Sequence, residues 1–252
     1  MLINLNEQFL NHKEYLIDLV KNFDSLGESF GPKDRNEIKL FVLQDIKICV
    51  KSFKRPNFFN KLIYSFFRKS KAHRSFEHAN QLIAKGIKTP NPIAFIEFKN
   101  FGLINNSFYI CEKFDYDLTF RDLCTNLDFP NHEEIVRQFT RFTNSLHEKN
   151  ILFLDHSPGN TLIKKNGSTY EFYLVDLNRM RFKNLTLGER ISNFNRLTTH
   201  SSIVKIMSNE FAIINRFSSD FIFSKMWLST KKFQRNFKMR RNFKKIVKPW
   251  KN

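Results

Sequence analysis

Cysteine, glycine and proline are scarce here, with 3, 7 and 7 residues among 252. Three widely spaced cysteines, Cys49, Cys111 and Cys124, make neither a secreted disulfide framework nor a CxxC zinc site. A reducing compartment is the simpler reading, with the thiols as packing residues. No stretch of roughly 18 apolar residues runs without a charge, so no segment is expected to span a bilayer. Glu7, His12, Lys13, Glu14 and Asp18 interrupt any signal-peptide core near the start. The expectation is a protein that is soluble, or that rests on a membrane without crossing it. No internal repeat or low-complexity tract is visible, and no GxGxxG occurs.

Acidic residues are missing from two long stretches. Between Ile46 and Phe76 there are 9 Lys and Arg and no acid, and after Asp220 there are 11 and no acid. These blocks account for the formal charge of +18 and leave the remainder at −2. Such a field attracts polyanions, which leaves nucleic acid, an anionic membrane face or a phosphorylated substrate as candidates. Large apolar residues interleave with the bases, among them Phe58, Phe59, Tyr64, Trp227, Phe237 and Phe243. That suits a lipid interface, and equally an ordinary helix with a buried stripe; stacking on bases is disfavoured beside them.

What is present in quantity is core material: the composition is 41% hydrophobic and 15% aromatic. A chain of this length buries on the order of 70% of its unfolded surface, enough for one large domain or two intimate lobes. Residues 5 to 23 carry Leu5, Phe9, Leu16, Leu19, Val20 and Phe23 at helical spacing and predict one amphipathic helix. Two strands are expected around Gln44-Asp45, a helical stretch after Pro56, and a helix from about Ser75 to Lys85 stopped by Gly86. Strands are expected near Ile93–Phe98 and Phe108–Lys113. Asn131, three residues before Glu134, predicts a capping box for a helix carrying Ile135, Phe139, Phe142 and Leu146 on one face. A small sheet followed by helices makes an α+β chain.

The stretch from Ile151 to Phe182 carries the most chemistry. Asn166-Gly167 between β-prone runs predicts a two-residue type I′ hairpin. Such a hairpin brings Asn160 and Asp176 to one open end, with Asp155 in the loop leading into it. Oxygen donors of this kind suit Mg²⁺ held together with substrate phosphates. An Asp five residues before an Asn can face an acceptor hydroxyl while the Asn and the second Asp hold metal.

This segment resembles the catalytic loop and metal-binding segment of the protein-kinase-like superfamily. The resemblance implies that Asp155 is the catalytic Asp, Asn160 the metal-binding Asn and Asp176 the Asp of the DFG motif. C-V-K-S-F resembles the strand bearing the ATP-phosphate lysine, which makes Lys51 the match. Glu77 stands where its glutamate partner on the following helix belongs. More closely, RNEIKLF, ICVKSFK, the basic stretch after it and LDHSPGN resemble the lipopolysaccharide kinases that phosphorylate Kdo (3-deoxy-D-manno-octulosonic acid).

The implied architecture is a two-lobed kinase-like fold, with residues 1–112 as N-lobe, 113–252 as C-lobe, and a hinge near Glu112 to Asp115. ATP and Mg²⁺ are the implied cofactors. Lys51 would grip the phosphates, Glu77 would fix Lys51, and Gly27 and Gly31 lie about where a phosphate-covering loop would be. Glu112 would stand at the nucleotide. The implied acceptor is Kdo on lipid A, at the cytoplasmic face of a membrane. Phe153-Leu154-Asp155 replaces the usual HRD or HGD triplet, and Asp176 is followed by Leu177-Asn178 instead of Phe-Gly. These departures point away from a regulated protein kinase and toward a small-substrate kinase. A kinase for another hydroxyl, or a non-catalytic basic protein binding nucleic acid or membrane, remains as an alternative.

Overall fold

The computed structural model describes residues 1–31, 36–53 and 68–247. The helical stretch expected after Pro56 lies outside these residues. Two compact units emerge, Met1–Asp115 with Leu174–Arg179, and Tyr116–Tyr173 with Met180–Asn252.

The first unit is built on a six-stranded sheet in the order β1-β5-β6-β4-β3-β2. Its strands are β1 (Leu2–Leu5), β2 (Glu28–Ser29), β3 (Asn36–Leu43), β4 (Ile46–Phe53), β5 (Pro92–Asn100) and β6 (Leu103–Glu112). Every pairing in it is antiparallel. β3 and β4 turn at Gln44-Asp45, where Gln44 takes φ 54°.

The expectation of a single helix over residues 5–23 is corrected. Leu5 belongs to β1, paired with Ala94, a 3₁₀ turn covers Glu7–His12, and helix α1 runs only from Lys13 to Lys21. The apolar spacing is genuine, but strand pairing competes for its first part and wins. Leu16, Leu19, Val20 and Phe23 all bury themselves against Ile48, Val50, Ile96 and Ile110 of the sheet. Helix α2 (Lys71–Ala84) begins four residues before the expected Ser75, because the Ser70 side chain accepts the His73 N–H and caps it. Its His73 and Phe76 pack on Phe95, with ring centroids 4.2 and 5.6 Å away. Covered on both faces, β5 reads as a near-continuous apolar run rather than an alternating one.

The second unit is mainly helical. Its helices are α3 (Phe120–Thr125), α4 (His132–Glu148), α5 (Leu187–Ser192), α6 (Ser201–Asn215) and α7 (Ser219–Val247). Short strands β7 (Leu118–Thr119), β9 (Thr161–Asn166) and β10 (Thr169–Leu174) form one sheet, and β8 (Ile151–Phe153) and β11 (Met180–Phe182) another. Ile135, Val136 and Phe139 of α4 meet Val204, Met207 and Phe211 of α6 and Ile222 and Met226 of α7 in one core. Buried Glu210 on α6 accepts from both Arg137 (3.0 Å) and Arg141 (2.6 Å) on α4, which locks the two helices in register. Among the described residues no helix is long and apolar enough to cross a membrane.

Two local expectations change. Asn131 does sit at the N-cap of α4, but at φ 57° its side chain makes no capping bond. Glu134 turns instead to Gln138 and Arg141. A side-chain cap needs an extended residue at this position, and the left-handed conformation removes that option. Capping boxes in this unit stand instead at Thr119 and Asp122 on α3 and at Thr186 and Glu189 on α5. The hairpin turn is also shifted by one residue. β9 keeps Asn166, and the loop is Gly167-Ser168 with Gly167 alone at positive φ, 61°. Glycine at the first loop position is the requirement of a type II′ turn, not of the type I′ expected.

One buried charge supports the start of the first unit. Lys39 on β3 is only 6% exposed. Its ammonium donates to the carbonyls of Phe23 (2.6 Å), Asp24 (3.0 Å) and Leu26 (3.0 Å) and lies 5.0 Å from the Phe23 ring centroid. The lysine thus satisfies carbonyls of the turn that follows α1. Lys39→Met is expected to destabilise the protein by about 3 kcal/mol, since hydrogen bonds from a charged donor are lost and buried acceptors are left open. Urea unfolding followed by circular dichroism checks this; a change within about 0.5 kcal/mol, the range of neutral surface substitutions, would contradict it.

Candidate active site

Within the first unit, alternation along β4 puts Val50 in the core and Lys51 on the other face. There the Lys51 ammonium donates to Asp176 Oδ1 at 2.6 Å, across 125 positions of sequence. The Asn178 amide donates to the same oxygen at 2.8 Å. Asp176 sits in the left-handed region at φ 59°, which Asp tolerates better than most side chains. Its neighbours hold it there. Thr89 donates to the Leu174 carbonyl (2.7 Å), Arg74 donates to the Asn178 carbonyl (2.8 Å), and the His78 ring meets the Leu177 carbonyl (2.6 Å). The last bond fixes a largely buried imidazole; burial lowers its pKa, partly opposed by that carbonyl.

Glu77 does not meet Lys51. Its carboxylate pairs with Lys69 and with His73 Nε2 (3.2 Å), both on its own side of the chain. Burial opposes ionisation of Glu77, and the bonds to Lys69 and His73 outweigh it, so the carboxyl stays below its ordinary value. The expected Lys51–Glu77 pair is therefore replaced by Lys51–Asp176. A lysine and a histidine within reach of the helix satisfy Glu77 locally, and Asp176 is the acid brought to Lys51.

Gly27 and Gly31 flank edge strand β2, one just before it and one in the connection to β3. Gly27, at φ 81°, lies under the Phe41 ring, where a Cβ would come within 2.4 Å of the ring carbon Cζ. It is a packing glycine at the entry to edge strand β2. Gly31, at φ 78°, has open space about its Cα, so only its conformation favours glycine. Glu112 ends β6. Its side chain accepts from Asn91 (2.9 Å), and the N–H groups of Glu112 and Lys113 bond the carbonyls of Asn91 and Lys47. Cys49 and Cys111 face each other in register on β4 and β6.

Within the second unit, Asp155 and Asn160 meet: the Asn160 amide donates to the Asp155 backbone carbonyl at 2.8 Å. Pro158–Asn160 forms a 3₁₀ turn that sets up this bond. The loop is braced by Arg196 and Asn193, which no motif in the sequence singles out, and by His156 of the LDHSPGN stretch. Arg196 donates to Asp155 Oδ1 and to the Leu154 carbonyl, both at 2.7 Å. Asn193 donates to the Phe153 carbonyl at 2.8 Å and accepts from the His147 ring at 3.0 Å. His156, fully buried, meets Thr143 Oγ1 at 3.2 Å and stacks on Phe139 with centroids 5.3 Å apart. His156 thus anchors the loop from the position after Asp155, while a fully buried Phe153, its ring 5.6 Å from that of His156, stands where the usual triplet carries histidine.

The oxygen donors suit a hard divalent cation. Among the described residues no three His, Cys, Asp or Glu side chains cluster into a metal cage. Asp176 Oδ2 and Asn160 Oδ1 accept no hydrogen bond from described residues, while the other atom of each group is tied down. Each, taken in its own unit, is an oxygen donor of the kind Mg²⁺ accepts alongside water and phosphate.

Burial pushes the His156 imidazole down to about 3 and His147 to about 4. Both values lie below the unfolded value, so the unfolded chain binds more protons as pH falls below about 6.5 and stability is lost in that window. Each histidine is expected to remove about 2 kcal/mol of stability between pH 7 and pH 5. Urea unfolding at the two pH values checks this, with His156→Gln flattening the dependence by about 2 kcal/mol. Equal pH dependence in variant and parent would contradict the burial of this imidazole as the cause.

Comparison with known proteins now adds to the geometry. A solved structure of WaaP in complex with acyl carrier protein matches with a TM-score of 0.63, 13% identity, and coverage of 94% of this chain and 98% of that one. At that identity the likeness establishes the fold. No sequence among the curated proteins matches significantly. The sequence model described as "Lipopolysaccharide kinase (Kdo/WaaP) family" matches residues 42–217, well over half of the chain, and the chain belongs to that family.

Proposed function

We propose that this family member transfers the terminal phosphate of ATP to a hydroxyl of Kdo on lipid A, at the cytoplasmic face of a membrane. The observation that carries the reading is the 2.6 Å pair of Lys51 with Asp176, which joins two residues of the ordered Lys, Asp, Asn, Asp series. The family is one of kinases, so phosphotransfer is its shared chemistry.

In this reading Lys51 binds the nucleotide phosphates, and Asp176 keeps its ammonium in place until they arrive. Asp176 and Asn160 would hold Mg²⁺ through their open oxygens. When bound, the metal neutralises charge on the phosphates. Asp155 orients the acceptor hydroxyl and takes its proton as the oxygen attacks. Arg196 acts through Asp155: two bonds from one guanidinium group to the loop fix the carboxylate's direction. Kdo as the acceptor is supported by the family's description and by the net charge of +18, which suits an anionic glycolipid.

Label transfer from ATP with Mg²⁺ to Kdo-bearing lipid A in detergent tests the reading, beside lipid A lacking Kdo. Asp155→Ala is expected to lower turnover by about 10³-fold, within the range for a lost general base. Full activity in that variant would remove Asp155 from the chemistry, and label on the acceptor lacking Kdo would shift the substrate assignment. A second outcome follows from the pairing. Lys51→Met and Asp176→Asn should each weaken nucleotide binding, measured by calorimetry with Mg-ATP, by at least about tenfold, the loss of one charge-assisted contact. Glu77→Gln should change it far less, because Glu77 holds Lys69 and His73. A Glu77→Gln loss as large as that of Lys51→Met would restore the pairing expected from sequence.

A further inference from the structure

Helix α7 carries its inward contacts on one side only. Ile222, Met226 and Thr230 are fully buried in the second unit, and Phe233 lies under the Arg196 guanidinium at 5.4 Å. On the side away from these, steps of three and four residues keep a second line of positions on one face. Four apolar side chains lie on that line, Phe221 (45% exposed), Leu228 (66%), Met239 (56%) and Phe243 (67%). Between them stand Lys225, Lys232 and Arg235, all exposed. From Phe221 to Phe243 the line is roughly 33 Å long at 1.5 Å per residue. No acid follows Asp220, so nothing on this helix beyond its first turn offsets the bases.

We infer that this outward face of α7 is a docking surface for an anionic phospholipid bilayer, which deepens the proposed function and rests on its membrane setting. The alternation decides the occupant. Exposed Leu and Met gain by leaving water for the acyl boundary, while bases beside them meet lipid phosphates. A nucleic acid would use the charges, but Leu228 and Met239 offer its bases no ring to stack on. A second copy would set Lys225, Lys232 and Arg235 against their own kind. Lys225 shows how the two kinds of side chain combine, with its ammonium 5.6 Å from the Phe221 ring centroid.

No residue of this face is among those placed in the chemistry, so docking is measurable without phosphate transfer. The full chain is floated with vesicles of phosphatidylcholine alone and with phosphatidylglycerol added. Two triple variants accompany it, K225Q/K232Q/R235Q and L228S/M239S/F243S, each checked for unchanged helicity and melting temperature. Wild type is expected on the phosphatidylglycerol vesicles, released by raised salt. The base variant should partition on the order of 100-fold less, at about fivefold per base removed. The apolar variant should lose binding in the same assay, and both should keep wild-type transfer to detergent-dispersed acceptor. Equal binding to phosphatidylcholine alone, unchanged partition of either variant, or preference for a DNA duplex over the anionic vesicles would overturn the inference. Absence of transfer by wild type would sink the kinase reading alone, because vesicle partition is read independently of it.

Discussion

The bond between Lys51 and Asp176 ties the central region of the six-stranded sheet to a segment of chain 125 positions later. An ammonium on a strand face and a carboxylate in the left-handed region are both unfavourable alone, the first for want of an acceptor and the second for backbone strain. Together they satisfy one another, and the surrounding bonds to the carbonyls of Leu174, Leu177 and Asn178 make the conformation over-determined. This is why Leu174–Arg179 groups with the first unit although the strand before it belongs to the second. In the proposed function such a pair is preorganised for an anion: phosphate arriving at Lys51 would exchange one partner for another, with the lysine already extended.

The second unit meets a different constraint, a loop full of backbone carbonyls beside a hydrophobic core. Each buried carbonyl needs a donor. Asn193 serves Phe153, Arg196 serves Leu154, and Asn160 serves Asp155. His156 adds a neutral imidazole stacked on Phe139 and hydrogen-bonded to Thr143. A charged brace in that position would bear the full cost of burial, whereas an imidazole kept at about 3 costs far less to bury at neutral pH. Loss of the usual histidine before Asp155 is thus offset by a different histidine after it and by an arginine from 41 positions downstream.

The sequence makes local periodicity legible and long-range pairing obscure. β3 and β4 follow from alternation around Gln44-Asp45, and α4 from its apolar face. The helix expected over residues 5–23 fails because Leu5 has a competing strand partner, and nothing within those residues reveals Ala94. The same distinction governs the site. The order of Lys51, Asp155, Asn160 and Asp176 is readable along the chain, but order does not say which acid meets Lys51. Glu77 has the right position and the wrong neighbours, since Lys69 and His73 reach it first. Arg196 is one among 42 basic residues with no local motif, so only the fold can single it out.

That abundance of bases has its own logic once the helices are placed. The residues bound to Asp155 and Asp176 use single cations, Arg196 and Lys51, each held at one distance and in one direction. The bases of α7 have the opposite character, being exposed, repeated and interleaved with apolar side chains. A cation that must act on one phosphate needs fixed geometry, while cations that face a fluid array of headgroups need number and mobility. Phe233 stands where the two kinds of surface share one helix, its ring under Arg196 while the opposite side of α7 faces outward. On the proposed function and docking surface, phosphate transfer and docking would vary separately, because substitutions on the outward face leave the brace on Asp155 in place.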